Sequence, residues 1–189
     1  NSNNTAVGKD ALLAITSGAS NVAIGVGALQ ADTTGIQNVA IGSYYNASYV
    51  GAMAANTAGS ECVAIGTAAL QTANENDNDG TIAIGWGACR VQAGTGGAQY
   101  ANATTAVGHS ALTALTTGAR NTAVGYETGG RTTTGADNTY IGYQAGDDTR
   151  DDSKQNTVVG SLAFAATHTT ADADNCVAIG YSALGGVLQ

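Results

Sequence analysis

The chain has 189 residues, with 27 glycines, no proline and a formal net charge of −8. Six Lys and Arg residues stand against 14 Asp and Glu residues, so the basic clusters that bind nucleic acid or an anionic membrane surface are missing. Phe, Trp and Met occur once each, which excludes an ordinary core of bulky side chains. No apolar run approaches the roughly 20 residues of a membrane span, and membrane insertion is not expected.

From the N-terminus onward, the chain repeats the motif Asn-x-Ala-Val/Ile-Gly ten times, with its first position drifting to Cys or Thr. The motif glycines are Gly8, Gly25, Gly42, Gly66, Gly85, Gly108, Gly125, Gly142, Gly160 and Gly180. Successive glycines lie 17 to 24 residues apart, and 17 is the commonest step. A repeat of this length is typical of a solenoid. We therefore predict an all-β repeat solenoid, a parallel β-helix or β-roll, of ten coils of roughly 17 residues.

The repeat at 21–37 predicts one short strand and two turns. Val22, Ala23 and Ile24 form the strand, in which Val22 and Ile24 share one face and Ala23 takes the other. The middle residue is Ala in most repeats, and this small column predicts tight packing against a neighbouring chain or sheet. Leu29 is expected to fill the inside of the coil. The Asn at the strand start is expected to form a hydrogen-bonded ladder from coil to coil.

The whole chain, 1–189, is predicted to be a single β-solenoid domain with insertions at about 43–60, 71–80 and 90–104. Insertions in repeat proteins map to loops on one face, which is often the binding face. The alternative is tolerated loop variation without a binding role. Because residue 1 falls just before a repeat, we expect the sequence to be a piece of a longer chain.

The pattern Asn-Thr-Ala-Val-Gly, combined with Ala-Leu and Thr-Thr-Gly, resembles the repeats of bacteriophage tail fibres. It is also similar to the head repeats of trimeric autotransporter adhesins, which are left-handed parallel β-rolls. The resemblance extends from Asn4 to Leu184. The longer period, and Ala-Leu in place of the adhesin Ser, favour the phage-fibre group.

That resemblance implies an intertwined or closely packed homotrimer, located in a virion tail fibre or at a cell surface. The implied function is structural and adhesive, with loops presented in several copies for attachment to a host-surface glycan or protein. The alternatives are a bacterial surface adhesin head or a self-assembling extracellular filament subunit. A polysaccharide-degrading tailspike ranks below both, because no catalytic pair of carboxylates is identifiable.

Candidate receptor-binding residues come from two places. The residue after the motif glycine is aromatic or imidazole in four consecutive repeats, and Trp86, Tyr126 and Tyr143 in this column could present flat rings to sugars. The alternative is a ladder that stacks on itself or packs at a subunit interface. The insertions add Tyr44, Tyr45, Tyr49 and Tyr100 to the candidates.

Other chemistry is not favoured by the sequence. Cys62, Cys89 and Cys176 are expected to be small packing residues, because no Cys-x-x-Cys pair exists. The acidic clusters lack the spacing of a calcium loop, so no metal and no cofactor are expected. His109 and His168 lie in different repeats without a nucleophile motif, so no enzymatic activity is predicted. An ice-binding face is disfavoured, because Val interrupts the Thr column of the strands.

Overall fold

The computed structural model describes residues 3–46, 50–71, 78–91, 102–147, 152–165 and 174–185, which contain ten short strands and no helix. The strands are β1 (Thr5–Val7), β2 (Val22–Ile24), β3 (Val39–Ile41), β4 (Val63–Ile65), β5 (Ile82–Ile84), β6 (Thr105–Val107), β7 (Thr122–Val124), β8 (Thr139–Ile141), β9 (Thr157–Val159) and β10 (Val177–Ile179). All are parallel and lie in one sheet in chain order. Each strand begins a coil, numbered like its strand. The predicted all-β, parallel β-solenoid is confirmed.

The strands pair in one continuous register although the repeats differ in length. Ala64 pairs with Ala40 on one side and with Ala83 on the other, while the motif glycines around it are 24 and 19 residues apart. A slip of one residue would turn the buried side chains toward solvent. The different lengths of the repeats therefore do not shift the register of the sheet.

In β2 to β10 the middle residue of the strand is buried inside its own coil, whereas Ala6 in the first strand is exposed. Ala23, Ala64 and Ala123 are fully buried within a single chain. The prediction that this column packs against a neighbouring chain was wrong for that reason. The residues of this column are small because larger side chains from the opposite wall of the coil occupy the same narrow interior. Protein interiors are close-packed, so no room remains for a second large side chain.

The opposite wall carries the Leu residues, as predicted. Leu29, Leu70 and Leu112 are fully buried, and their backbone lies in the left-handed region with φ of 50°, 50° and 49°. A left-handed residue other than glycine costs about 1–2 kcal/mol. Burial of the side chain offsets that cost, and so does a row of hydrogen bonds between coils. Leu29, for example, donates its N–H to the Ala52 carbonyl at 3.1 Å.

The core changes its composition in the coils around β8. Tyr140 takes the place of Ala in the strand column, pairs with Ala123, and is fully buried. Gly129 and Gly146 take the place of Leu on the opposite wall, with φ of 61° and 65°. A Cβ on Gly129 would lie 2.8 Å from Tyr140 Cδ2, and one on Gly146 would lie 2.7 Å from Tyr140 Cε1. One large ring therefore fills the space that Leu side chains fill elsewhere.

The Asn that opens the motif joins successive coils through its side chain, as predicted. The side-chain oxygen of Asn21 accepts a hydrogen bond from the Asn38 N–H at 2.9 Å, and its amide nitrogen donates to the Gly35 carbonyl at 2.8 Å. This ladder runs through Asn4, Asn21 and Asn38 to Cys62, and again through Asn121, Asn138 and Asn156 to Cys176. Each Asn thereby fixes both the turn and the strand start of the next coil.

The motif glycine is required by the close approach of neighbouring coils. Gly8 has a φ of 130°, and a Cβ on it would lie 2.6 Å from the Gly25 carbonyl oxygen. Gly66 has the same φ, and a Cβ there would lie 2.6 Å from the Gly85 carbonyl oxygen. Backbone conformation and steric contact both exclude a side chain, which explains why the glycine persists while the first motif position drifts.

Candidate functional site

One candidate site is the outer face of the sheet, which is uncharged and built from β-branched residues. The first and third residues of every strand are Thr, Val or Ile. The third residues Ile24, Val124 and Ile141 are 38%, 38% and 41% exposed. Soluble monomers rarely expose a contiguous apolar patch of this kind without a role in binding or association. The outer strand face is therefore a candidate interaction surface.

A second candidate is the row of rings that follows the motif glycine. Trp86 stacks on His109 with ring centroids 4.7 Å apart, His109 on Tyr126 at 5.1 Å, and Tyr126 on Tyr143 at 5.6 Å. The angles between ring planes are 18°, 16° and 11°. The repeat of the coils sets this spacing, because each ring occupies the same position in its coil. We call these four residues the aromatic ladder.

The aromatic ladder presents ring edges to solvent, because its rings cover each other's faces. His109 and Tyr126 each have a ring on both sides. A sugar stacks on an aromatic side chain through the apolar face of the ring. The interior of the ladder is therefore suited to stabilising the stack, whereas Tyr143, its last ring, has a ladder ring on one side only and is 48% exposed.

Polar side chains link successive coils in this part of the chain, Glu127 of coil 7 to Gln144 of coil 8 and Arg120 of coil 6 to Asp137 of coil 7. Gln144 donates to a Glu127 carboxylate oxygen at 2.8 Å. A hydrogen bond with Glu127 is the main cause that raises the pKa of Tyr126. Arg120 and Asp137 form a two-pronged ion pair at 2.6 and 2.8 Å on the surface, and this contact lowers the pKa of Asp137. Exposed ion pairs of this type contribute little to stability.

Two of the four candidate tyrosines in the insertions, Tyr44 and Tyr45, lie within the described residues. Tyr44 is 49% exposed and Tyr45 is 75% exposed, directly after β3. Both side chains are accessible to a partner and lie outside the aromatic ladder. Tyr49 and Tyr100, which the sequence also proposed, lie outside the described residues, as does His168.

The two buried cysteines, Cys62 and Cys89, are packing residues of the core. Cys62 and Cys89 are buried and unpaired with each other, and burial raises the pKa of each thiol to about 12. A thiol with such a pKa is protonated and unreactive at neutral pH. Cys176 is less buried. The described ranges hold no group of three or more His, Cys, Asp or Glu side chains that could bind a metal ion.

Membrane insertion and two overlooked surfaces complete the description. In the described part of the chain, no helix has the length and apolar character that crossing a bilayer requires.

Sequence reasoning missed the outer strand face because it assigned the interaction surface to the Ala column. The signal was present, since no charged residue occupies a strand position in any repeat. It also gave no role to Tyr181, which follows the last motif glycine and is 78% exposed.

These features define a parallel β-solenoid repeat protein with an exposed, uncharged sheet face. No protein-family model, no curated protein and no solved structure matches the chain. The resemblance to phage tail-fibre repeats therefore rests on the motif alone.

Proposed function

We propose that this chain is a structural and adhesive segment of an extracellular fibre, of the kind found in phage tail fibres, and that it attaches to a host-surface glycan or protein. The observation that carries the proposal is the single parallel sheet of ten strands in one register. At about 4.8 Å per strand spacing, ten coils extend roughly 48 Å. A stiff rod of this type presents side chains and loops at fixed intervals, which suits attachment through several weak contacts.

The outer strand face supports association between copies of the chain. Its Thr, Val and Ile columns carry no charge, although the protein as a whole has a net charge of −8. Identical columns on a second copy have the same spacing along the rod, so side chains can interdigitate over the full length. A homotrimer, as the motif resemblance implies, is the assembly we propose for the fibre.

A self-assembling filament subunit is the second candidate. In the described sheet, β1 and β10 each pair on one side only. An open edge of this kind is a template for a further strand. Stacking of chains end to end would lengthen the rod without requiring the outer strand face. The same filament architecture would serve a bacterial surface adhesin.

Analytical ultracentrifugation and electron microscopy of the purified chain test the proposal. We expect discrete rods of constant length that sediment as a trimer and bind host cells. Ile24→Lys together with Ile141→Lys should reduce association, because each substitution introduces a charge on the outer strand face. Thr34→Lys adds a charge on an exposed turn and serves as the control. A wild-type monomer would contradict the trimer, and rods that lengthen with concentration would favour the filament.

A further inference from the structure

The position after the motif glycine contains a gap in its row of rings near the C-terminal end. Tyr143 ends the aromatic ladder, Ser161 occupies the position in coil 9, and Tyr181 occupies it in coil 10. Leu162 donates its N–H to the Tyr143 carbonyl at 2.8 Å, and Ser182 donates to the Ser161 carbonyl at 3.0 Å. These backbone hydrogen bonds hold the three positions directly above one another. A small side chain therefore lies between two tyrosine positions.

The spacing of the coils sets the size of this gap. Adjacent rings of the aromatic ladder are 4.7 to 5.6 Å apart. Two coil steps amount to about 9.6 Å, twice the strand spacing. One ring placed midway would thus lie about as far from each tyrosine as the ladder rings lie from each other. Tyr181 is 78% exposed, whereas Tyr126, which has rings on both faces, is 44% exposed.

We propose that Tyr143, Ser161 and Tyr181 form a slot that binds one pyranose ring of a host-surface glycan. The inference rests on the proposed adhesive function and assigns it a ligand class and a place. A pyranose has two faces, which can lie against the two phenol rings, and a polar rim, which stays in contact with water. The Ser161 hydroxyl at the floor of the slot can donate or accept one hydrogen bond from that rim.

Other ligand classes fit the slot less well. A nucleotide base would bring phosphate groups toward a protein with a net charge of −8, and the chain offers few basic residues to hold them. Elsewhere in the described part of this column, no small residue lies between two aromatic ones. In this column Ser43 and Thr67, for instance, lie between Val26 and Trp86, so an aromatic ring flanks them on one side only.

Filling the slot from within the chain provides the sharpest test. Ser161→Tyr places at this position the residue that coils 7, 8 and 10 already carry there, so the backbone accommodates it. The new ring should extend the aromatic ladder and leave the melting temperature equal to or above that of the wild type. It should also abolish pyranoside binding. Ser161→Ala keeps the slot open and is the matched control, with binding weakened only several-fold.

Binding is measured on the full chain by saturation-transfer NMR with a panel of methyl pyranosides, with thermal unfolding followed in parallel. Tyr181→Ala removes one wall and should reduce binding at least tenfold without changing the melting temperature. Unchanged binding by Ser161→Tyr would overturn the slot, and so would the absence of binding to every pyranoside by the wild type. Binding of p-cresol or indole in place of pyranosides would overturn the sugar as ligand.

Cell adhesion separates failure of the slot from failure of the proposed function. If Ser161→Tyr fibres adhere to host cells as strongly as the wild type, the slot is wrong while the adhesive function stands. If wild-type fibres adhere to no host cell and bind no pyranoside, both proposals fail.

Discussion

Two regions of the solenoid solve the same packing problem with opposite side chains. In the coils around β2, the strand contributes Ala23 and the opposite wall contributes Leu12 and Leu29. In the coils around β8, the strand contributes Tyr140 and the opposite wall contributes Gly129 and Gly146. The backbone is the same in both, including left-handed residues at the Leu and Gly positions. The coil interior therefore needs a certain total volume of side chains, which either the strand or the opposite wall can supply.

The largest effect is expected at Tyr140, because its buried ring lies against both Gly129 and Gly146. Tyr140→Ala should lower the free energy of unfolding by about 3–5 kcal/mol, the usual cost of truncating a buried aromatic residue. Adding Gly129→Leu and Gly146→Leu should restore part of that loss, because Leu112 has the same left-handed backbone, but Leu112 Cδ2 must shift since a Cβ on Gly129 would lie 2.9 Å from it. Urea unfolding of the single and triple variants measures both. Tyr45→Ala, at an exposed tyrosine, is the control.

A triple variant no more stable than Tyr140→Ala would show that the two cores are not interchangeable. The comparison would then fail at its central point, the conservation of core volume.

The converse substitution should disrupt the coils around β2. Ala23→Tyr inserts a ring where Leu12 and Leu29 already fill the space. Overpacking of this type costs about 1–3 kcal/mol, and occasionally more. Combining it with Leu12→Gly and Leu29→Gly should recover stability by copying the arrangement around Tyr140. Melting temperatures of the wild type, Ala23→Tyr and the triple variant test whether the arrangement can be copied. If Ala23→Tyr left the melting temperature unchanged, the coil would have to expand to accept the ring at no cost in stability.

The Asn ladder should matter in both regions, because it does not depend on the core. Asn21→Ala leaves the Asn38 N–H and the Gly35 carbonyl without their partner, and Asn138→Ala does the same to the Asn156 N–H and the Ser153 carbonyl. An unsatisfied buried polar group costs about 1–3 kcal/mol. Chemical denaturation should show a loss for both variants, the larger one for Asn138→Ala, because its amide also bonds the Asn121 and Asn156 side chains. A smaller loss for Asn138→Ala would show that the core affects the ladder.

The smallest effect is a pH dependence confined to one of the two regions. Asp32, in coil 2, is buried, and burial raises its pKa above the ordinary value of 3.8. The corresponding residue of coil 7 is the neutral Thr132. Because the folded pKa is the higher one, ionisation of Asp32 lowers the free energy of unfolding as pH rises through it.

Asp32→Asn should therefore stabilise the protein at neutral pH, and its advantage should shrink as the pH falls toward 3.8. Asn56 shows that an amide fits this turn, because its side-chain oxygen accepts the Gly59 N–H at 3.1 Å. Unfolding curves of both proteins across this pH range make the comparison. Thr132→Ser is the neutral control. A constant difference at all pH values would contradict a role for ionisation.

The sequence predicted most of the fold because a solenoid depends on contacts between neighbouring repeats. The Val22–Ala23–Ile24 pattern placed the strand, and the Asn column placed the ladder. The sequence reading placed the Ala column at an interface on the outside of the coil, whereas the column is buried inside it. An alternation of two residues separates the two faces of a strand but does not show which face is buried. The candidate site was only partly predictable. The column of rings was visible in the repeat, whereas the covering of ring faces in the aromatic ladder depends on side-chain orientation.

The sequence by itself determined the strand positions, the one-sheet architecture and the glycine column, because each follows from a short motif repeated at a nearly constant step. Tertiary structure decided which face is buried, since that depends on the volume delivered by the opposite wall. It also decided that Tyr140 belongs with Gly129 and Gly146, which lie in two different coils on either side of its ring. Such compensation acts across coils, and no single repeat contains it.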